Sequence, residues 1–238
     1  MIPKWQPGIV TRIEQATHNT RRYWIELPET TQFDFKPGQF ITLDLPIHEQ
    51  RNKRWRSYSI ASKPDGSNVI ELLIVYVEGG AATNYFFNEV KEGTELTLRG
   101  PQGIFTLPDP LDKDLFLICT GTGIAPFRSM LQYVQEHQVP HHNIYLVFGC
   151  RTQADLLYAD EMRALESAIQ NFSYHPTLSR ESWEGHAGYV HNVYEALCQE
   201  KQPAIFMLCG WRNMIDEARQ RLLTLGYDKK DVQLELYG

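Results

Sequence analysis

Hydrophobic and polar positions change rhythm part-way along the chain. Through residues 1–107 apolar residues recur at every second position. Tyr23, Ile25 and Leu27 share one strand face, as do Ile41, Leu43 and Leu45, and later Leu96 and Leu98. Turn formers punctuate these runs at Pro37-Gly38, Pro64-Asp65-Gly66-Ser67 and Gly79-Gly80. Short strands spaced in this way predict an antiparallel barrel or sandwich. One helix is expected to interrupt it, from about Ala82 to Val90.

Pro108-Asp109-Pro110 ends that pattern. Beyond it, strands alternate with helices. Leu115–Cys119, Ile144–Phe148, Phe172–Leu178, Ala204–Cys209 and Val232–Leu236 read as strands. Ile124, Phe127, Leu131 and Val134 recur at helical spacing, as do Tyr158, Met162, Leu165 and Ile169. Tyr189–Cys198 reads as a helix, and Trp211, Met214, Ile215, Ala218 and Leu222 as another helical stripe. Repeated βα units predict a parallel sheet covered on both faces. The chain is therefore expected to hold two domains, an antiparallel β-barrel over 1–109 and an α/β domain over 110–238.

Composition adds exclusions. The chain has 238 residues, 42% hydrophobic and 22% charged, an ordinary globular balance with room for two cores. Its apolar runs, such as Leu115–Cys119, fall far short of the about 20 residues of a membrane helix, so no membrane insertion is expected. The start, Met1-Ile2-Pro3-Lys4-Trp5, lacks the apolar stretch of a signal peptide, which points to the cytoplasm. With 23 Lys+Arg against 29 Asp+Glu the formal net charge is -6, which argues against bulk nucleic-acid binding. Cys119, Cys150, Cys198 and Cys209 form no close pair, and the His residues show no metal spacing, so no metal centre is expected. The 12 Tyr, 11 Phe and 5 Trp suit a core and equally a planar cofactor.

Five segments carry candidate chemistry, each with a bland alternative. Gly121-Thr122-Gly123-Ile124-Ala125-Pro126 follows a strand and opens a helix, so it is a phosphate loop or a plain tight turn. In Arg56-Ser57-Tyr58-Ser59, Arg56 and Tyr58 share a strand face, where a cation and a flat ring can bind phosphate and stack together. The alternative is a polar barrel strand. Glu78-Gly79-Gly80-Ala81-Ala82-Thr83 is a second phosphate seat or a hairpin exit, with Thr83 as helix cap in either case. Ser179-Arg180 follows a strand end, where Arg180 can clamp a phosphate or remain a solvated loop residue. Glu235-Leu236-Tyr237-Gly238 places an aromatic beside the end of a strand, as a packing plug or a cover, and Cys209-Gly210 is similarly placed.

Taken in order, these segments resemble the ferredoxin–NADP reductase family over nearly the whole chain. The resemblance rests on Arg-x-Tyr-Ser at 56–59, the Gly-rich helix start at 79–83, Gly100-Pro101-x-Gly103-x-Phe105 and Gly121–Pro126. It extends through Ser179-Arg180, Cys209-Gly210 and Glu-x-Tyr at 235–237. It implies a non-covalent FAD on the first domain and NADP(H) on the second, NAD(H) being the alternative.

By that resemblance Arg56 meets the flavin pyrophosphate, Tyr58 stacks on the isoalloxazine and Ser59 lies beside flavin N5. Val75, Tyr76 and Val77 line the flavin, and the backbone at Gly80, Ala81, Ala82 and Thr83 approaches the pyrophosphate. Gly121, Thr122, Gly123 and Pro126 seat the nicotinamide-side phosphates, while Ser179, Arg180 and Tyr189 form a 2′-phosphate pocket. Cys209 and Glu235 flank the nicotinamide, and Tyr237 covers the other flavin face. Ser59, Cys209, Glu235 and Tyr237 thus form the expected catalytic set. Gly238 after the tyrosine departs from the plant-type pattern, as does the short hairpin around Pro64–Asn68.

No CxxxxCxxC iron–sulfur module is present, so electrons are expected to pass to a separate carrier. The implied activity is an FAD-dependent reductase linking NADPH to ferredoxin or flavodoxin. The alternatives are an NADH-dependent oxygenase reductase component, a flavin or quinone reductase, and a nucleotide-binding module without turnover. The basic cluster Arg51, Lys53, Arg54 is either a docking patch for an acidic carrier or a solvated loop.

Overall fold

A computed structural model of the chain describes residues 3–237. They form two compact units, one running to Leu107 and taking in Arg128–Met130, the other holding the remainder.

The first unit contains β1 (Gln6–Thr17), β2 (Thr20–Glu26), β3 (Phe40–Asp44), β4 (Trp55–Ser59), β5 (Val69–Val75), α1 (Ala81–Asn88) and β6 (Glu95–Gln102). The strands make one antiparallel sheet in the order β4-β3-β6-β1-β2-β5. Period-two alternation sends one side of each strand inward. Register then pairs Tyr23 with Leu72, Ile25 with Ile70 and Leu43 with Leu98, all buried.

The sheet's two edges meet at a single bridge, Ile60 with Leu72, reinforced by Ala61 N–H donating to Glu71 O at 2.8 Å. The expected barrel is therefore a six-stranded sheet drawn round on itself, with no closed ladder among the described residues. Beside that bridge lies a buried ion cluster. Arg22 Nε donates to Glu71 Oε1 at 2.6 Å and Arg128 Nη1 to Glu71 Oε2 at 2.9 Å, while Arg128 Nη1 also reaches Ala61 O at 2.8 Å.

α1 adds Ala82 and Phe86 to this core, and the buried Tyr23 hydroxyl donates to Phe86 O at 2.9 Å. The helix begins at Ala81 and ends at Asn88, short of Val90. Its N-cap is Gly80, not Thr83. Thr83 sits inside the first turn, where its hydroxyl is 3.0 Å from Val77 O and 3.1 Å from Gly80 O.

The second unit contains β7 (Asp114–Thr120), α2 (Ile124–His137), β8 (Ile144–Cys150), α3 (Ala159–Ala168), β9 (Phe172–Leu178) and β10 (His186–Ala187). It continues with α4 (Val190–Leu197), β11 (Ala204–Trp211), α5 (Arg212–Thr224) and β12 (Val232–Tyr237). All its strand pairs are parallel, in the order β10-β9-β8-β7-β11-β12. The chain runs outward from β7 through β8 and β9, then returns to β11 on the other flank of β7. The β7–β11 boundary is thus the topological switch point, whose carboxyl-end crevice is where open α/β sheets bind ligands.

Phe116 anchors the core of this unit. Its ring stacks on Tyr145 at 4.5 Å and on Phe206 at 4.9 Å, a row made by the register of three adjacent strands. α4 and α5 add Val190, Tyr194, Ile215, Ala218 and Leu222. Several boundaries differ from the sequence expectation. Trp211 ends β11 and caps α5 instead of joining its apolar stripe. Tyr158 and Tyr189 are caps outside α3 and α4, and the two-residue β10 was not expected. No described helix is long and apolar enough to cross a membrane.

Candidate functional site

In the first unit, β4 presents the Arg-x-Tyr-Ser residues. Pairing with β3 sets Arg56 opposite Leu43, Ser57 opposite Thr42 and Tyr58 opposite Ile41. Arg56 is exposed, and its Nη1 donates to Lys53 O at 3.0 Å and Trp55 O at 2.8 Å, which holds the guanidinium beside the strand. The half-buried Tyr58 ring meets Phe86 edge-on at 5.7 Å. Burial pushes its hydroxyl pKa well above the ordinary tyrosine value. Ser59, the next residue in, is buried.

The loop from β5 to α1 offers a second surface of this unit. Tyr76 and Val77 are exposed. Tyr76 donates from its hydroxyl to Asn84 Oδ1 at 2.9 Å and packs edge-on against Phe87 at 5.3 Å. The turn closes when Gly80 N–H donates to Val77 O at 2.9 Å, with Gly79 at φ +73°. No side chain caps α1 and no acidic residue occupies its first turn. The N–H groups of a helix's first turn have no acceptor within the helix, so their acceptors come from outside it.

In the second unit the Gly121–Gly123 turn leads from β7 into α2 at the switch point. No side chain caps α2 either. Gly121 has φ +53°, and a Cβ on Gly123 would lie 2.4 Å from Cys209 O. Gly210, at φ +141°, likewise has no room for a Cβ beside Thr120 Oγ1, which would stand 2.6 Å away. The two loops meet backbone to backbone, and Gly123, Ile124, Ala125 and Pro126 are all buried. Pro126 stands at the third position of α2, where its missing N–H costs no intrahelical bond.

Cys209, Glu235 and Tyr237 come together here. Register sets Cys209 opposite Glu235 and Trp211 opposite Tyr237, so Glu235 and Tyr237 share a face of β12. Cys209 is fully buried. Burial chiefly, and then Glu235, push its thiol pKa far up, while a hydrogen bond from Tyr237 acts the other way. The thiol therefore stays protonated and serves as a small apolar neighbour. Trp211, Arg212, Asn213 and Tyr237 line a cleft of about 330 Å³. Ser59, the fourth residue of the expected catalytic set, belongs to the first unit.

Ser179 and Arg180 lie just past β9. Ser179 donates from both N–H and hydroxyl to Cys150 O, at 3.0 and 3.2 Å, and Arg180 N–H donates to Arg151 O at 2.9 Å. Arg180 is exposed, and so is Tyr189, by 70%. Arg151, exposed at the end of β8, was missed in the sequence. The signal was available, because Arg151 follows a parallel strand end one strand inward from Arg180. The cleft residues Arg212 and Asn213 were missed too, hidden inside what read as a helical stripe.

The basic cluster is partly neutralised. Arg54 Nε is 2.7 Å and Arg51 Nε 3.6 Å from the carboxylate of Asp44, an acid eight positions before Asn52 and paired through the fold. Gly238 and its effect on Tyr237 lie outside the described residues. No group of three or more His, Cys, Asp or Glu side chains is placed to hold a metal among the described residues.

Residues 7–107 match the model of the oxidoreductase FAD-binding domain, and residues 117–220 that of the oxidoreductase NAD-binding domain. Ferredoxin–NADP reductase B of Sorangium cellulosum is 34% identical over 227 residues, covering 91% of both chains. The chain belongs to the ferredoxin–NADP reductase family. The fold agrees with this membership. A ferredoxin NADP+ reductase from Neisseria gonorrhoeae, with bound FAD and NADP, superposes with a TM-score of 0.82 at 25% identity over 98% of each chain. The anthranilate 1,2-dioxygenase electron transfer component of Acinetobacter baylyi is 31% identical over 89% of this chain. The chain spans only 61% of that relative's length. The chain thus joins an oxidoreductase FAD-binding domain to an oxidoreductase NAD-binding domain.

Proposed function

We propose that this family member is an FAD-dependent reductase that moves electrons between NADPH and a separate one-electron protein carrier, ferredoxin or flavodoxin, in the cytoplasm. Residues 1–109 hold the FAD and 110–238 the NADP(H). The observation that carries this is the alignment with ferredoxin–NADP reductase B along 91% of both chains. The residues present fit the two cofactors. Two helix starts without a side-chain cap, those of α1 and α2, support phosphate binding, and Gly123 places no side chain between the α2 turn and Cys209.

Bound FAD supplies the exchange between two-electron nicotinamide chemistry and one-electron carriers. The chain's own work is binding, orientation and proton handling. Arg56 and the N–H groups of Ala81, Ala82 and Thr83 neutralise and hold the FAD pyrophosphate. Tyr58 gives a flat face for stacking, Val75, Tyr76 and Val77 exclude water beside it, and Ser59 offers a hydroxyl to the ring. Gly121, Thr122, Gly123 and Pro126 seat the nucleotide phosphates, while Ser179, Arg180 and Tyr189, joined by Arg151, take the 2′-phosphate. Cys209 keeps the nicotinamide side dry, Glu235 offers a carboxylate for proton relay, and Tyr237 is the ring that must yield its place to the nicotinamide.

A second reading is favoured by one observation, the likeness to an oxygenase electron transfer component. In it the donor is NADH and the acceptor an oxygenase system. One experiment separates the two. The purified yellow protein is reduced anaerobically with NADPH or NADH, then mixed with ferredoxin, flavodoxin or a small dye. Faster bleaching by NADPH and reoxidation by a carrier support the proposal. A colourless protein that takes up no FAD, or one reoxidised only by the dye, refutes it.

A further inference from the structure

Outside the candidate site, β9 and its short edge partner β10 bring two imidazoles together, their planes tilted by 46°. His175 Nδ1 lies 3.3 Å from His186 Nε2, with ring centroids 5.5 Å apart. The other nitrogen of His175, Nε2, is 2.9 Å from Ser173 Oγ. With Nε2–H donated to that hydroxyl, the Nδ1 lone pair is turned toward His186.

We infer that His175 and His186 form a two-imidazole seat for a borderline divalent cation, Zn²⁺ being the type, at the outer edge of the parallel sheet. Two nitrogens bound at about 2.0–2.1 Å to a tetrahedral centre stand about 3.3–3.4 Å apart, the separation the pair already has. Imidazole nitrogen suits Zn²⁺, Ni²⁺ and Cu²⁺ and does not suit Mg²⁺ or Ca²⁺. Ser173 acts as the outer partner that fixes a ligating histidine's tautomer.

The remaining coordination positions fall to water, since no third protein ligand joins among the described residues. The ion is therefore exchangeable. It joins β9 to the edge strand, whose His186 carbonyl accepts from Trp183 Nε1 at 2.7 Å and whose neighbour Gly188 N–H bonds Leu178 O at 2.8 Å. Bound metal pins the segment between β9 and α4. None of this depends on the reductase reading.

Titration of the FAD-loaded protein with ZnCl₂ in a calorimeter tests the site. One Zn²⁺ per chain is expected, lost in H175A and in H186A, and weakened about tenfold in S173A. Hydrogen exchange at Ala187 and Gly188 should slow with Zn²⁺ in the parent and not in H186A. His186 is exposed, so that variant folds even if H175A does not. Absence of Zn²⁺ binding by the parent reduces the contact to a hydrogen bond and overturns the inference. Unchanged binding in H186A does the same.

Discussion

Gly123 at the start of α2 rests against Cys209 at the end of β11, so near that a Cβ on the glycine would stand 2.4 Å from the Cys209 carbonyl oxygen. Backbone cannot yield as a flexible side chain does. Gly123→Ala must therefore push the α2 turn away from β11. Overpacking of this kind costs about 1–3 kcal/mol. The expected result is a lower melting temperature and a raised KM for the nicotinamide nucleotide, with the flavin absorbance per chain unchanged. Steady-state kinetics beside a thermal melt checks it, and an unaltered KM would contradict the seat assigned to this turn.

Arg180 and Arg151 stand on adjacent strand ends, linked through Arg180 N–H and Arg151 O at 2.9 Å. If both meet the 2′-phosphate, Arg180→Ala removes a charge-assisted contact of about 1.5–3 kcal/mol. KM for NADPH should rise on the order of tenfold to a hundredfold, while NADH kinetics stay put. Arg151→Ala should behave alike. Equal damage with both nucleotides would take Arg180 out of the phosphate pocket.

What the sequence disclosed follows from periodicity. Buried alternation at Tyr23, Ile25 and Leu27 marked an antiparallel half, and the apolar run Leu115–Cys119 with Ile124, Phe127 and Leu131 marked a βα unit, because burial on one or two faces writes itself into spacing. Helix starts were less legible. Gly80, Tyr158 and Tyr189 precede their helices and bear no capping side-chain bond, so the usual Ser, Thr or Asp signal is missing. β10 is too short to carry a pattern. Long-range pairing was invisible as well. Arg51 and Arg54 read as a bare basic cluster until Asp44 came beside them, and the single Ile60–Leu72 bridge decides how the six-stranded sheet meets its own edge.

Glu71 is almost wholly buried and receives two guanidiniums, Arg22 at 2.6 Å and Arg128 at 2.9 Å. Removing its charge leaves buried Arg128 without this partner carboxylate. Breaking a buried pair in this way costs about 3–5 kcal/mol. Glu71→Ala should lower the urea midpoint of the first unit by a correspondingly large step, and Glu71→Gln by a smaller one, since the amide oxygen still accepts. A midpoint within error of the parent would show the cluster to be energetically idle.

All four cysteines are free thiols. Burial lifts the pKa of Cys119 and Cys209 far above the ordinary range, and that of Cys150 to about 12, with Asp155 and Glu181 adding to the rise. Thiolate is the reactive form. The folded protein should therefore resist alkylation at pH 8 at these positions and react fully in denaturant. Rapid labelling of Cys209 in the folded state, seen by mass spectrometry of its peptide, would mean that the β11 end opens readily.

His191 supplies a pH dependence of stability. It is buried on α4, its Nδ1 3.0 Å from the Tyr194 hydroxyl and its Nε2 3.4 Å from Glu217. Burial lowers its pKa below the ordinary 6.5, outweighing the acid beside it. The unfolded chain then binds more protons than the folded one between the two values, so stability rises with pH across that window. The contribution is fully present above about pH 6.5 and is lost as pH falls through the depressed folded value. In His191→Gln the urea midpoint should fall less steeply below pH 6.5 than in the parent. An identical slope in the two proteins would show that His191 takes up its proton as easily inside the fold as out of it.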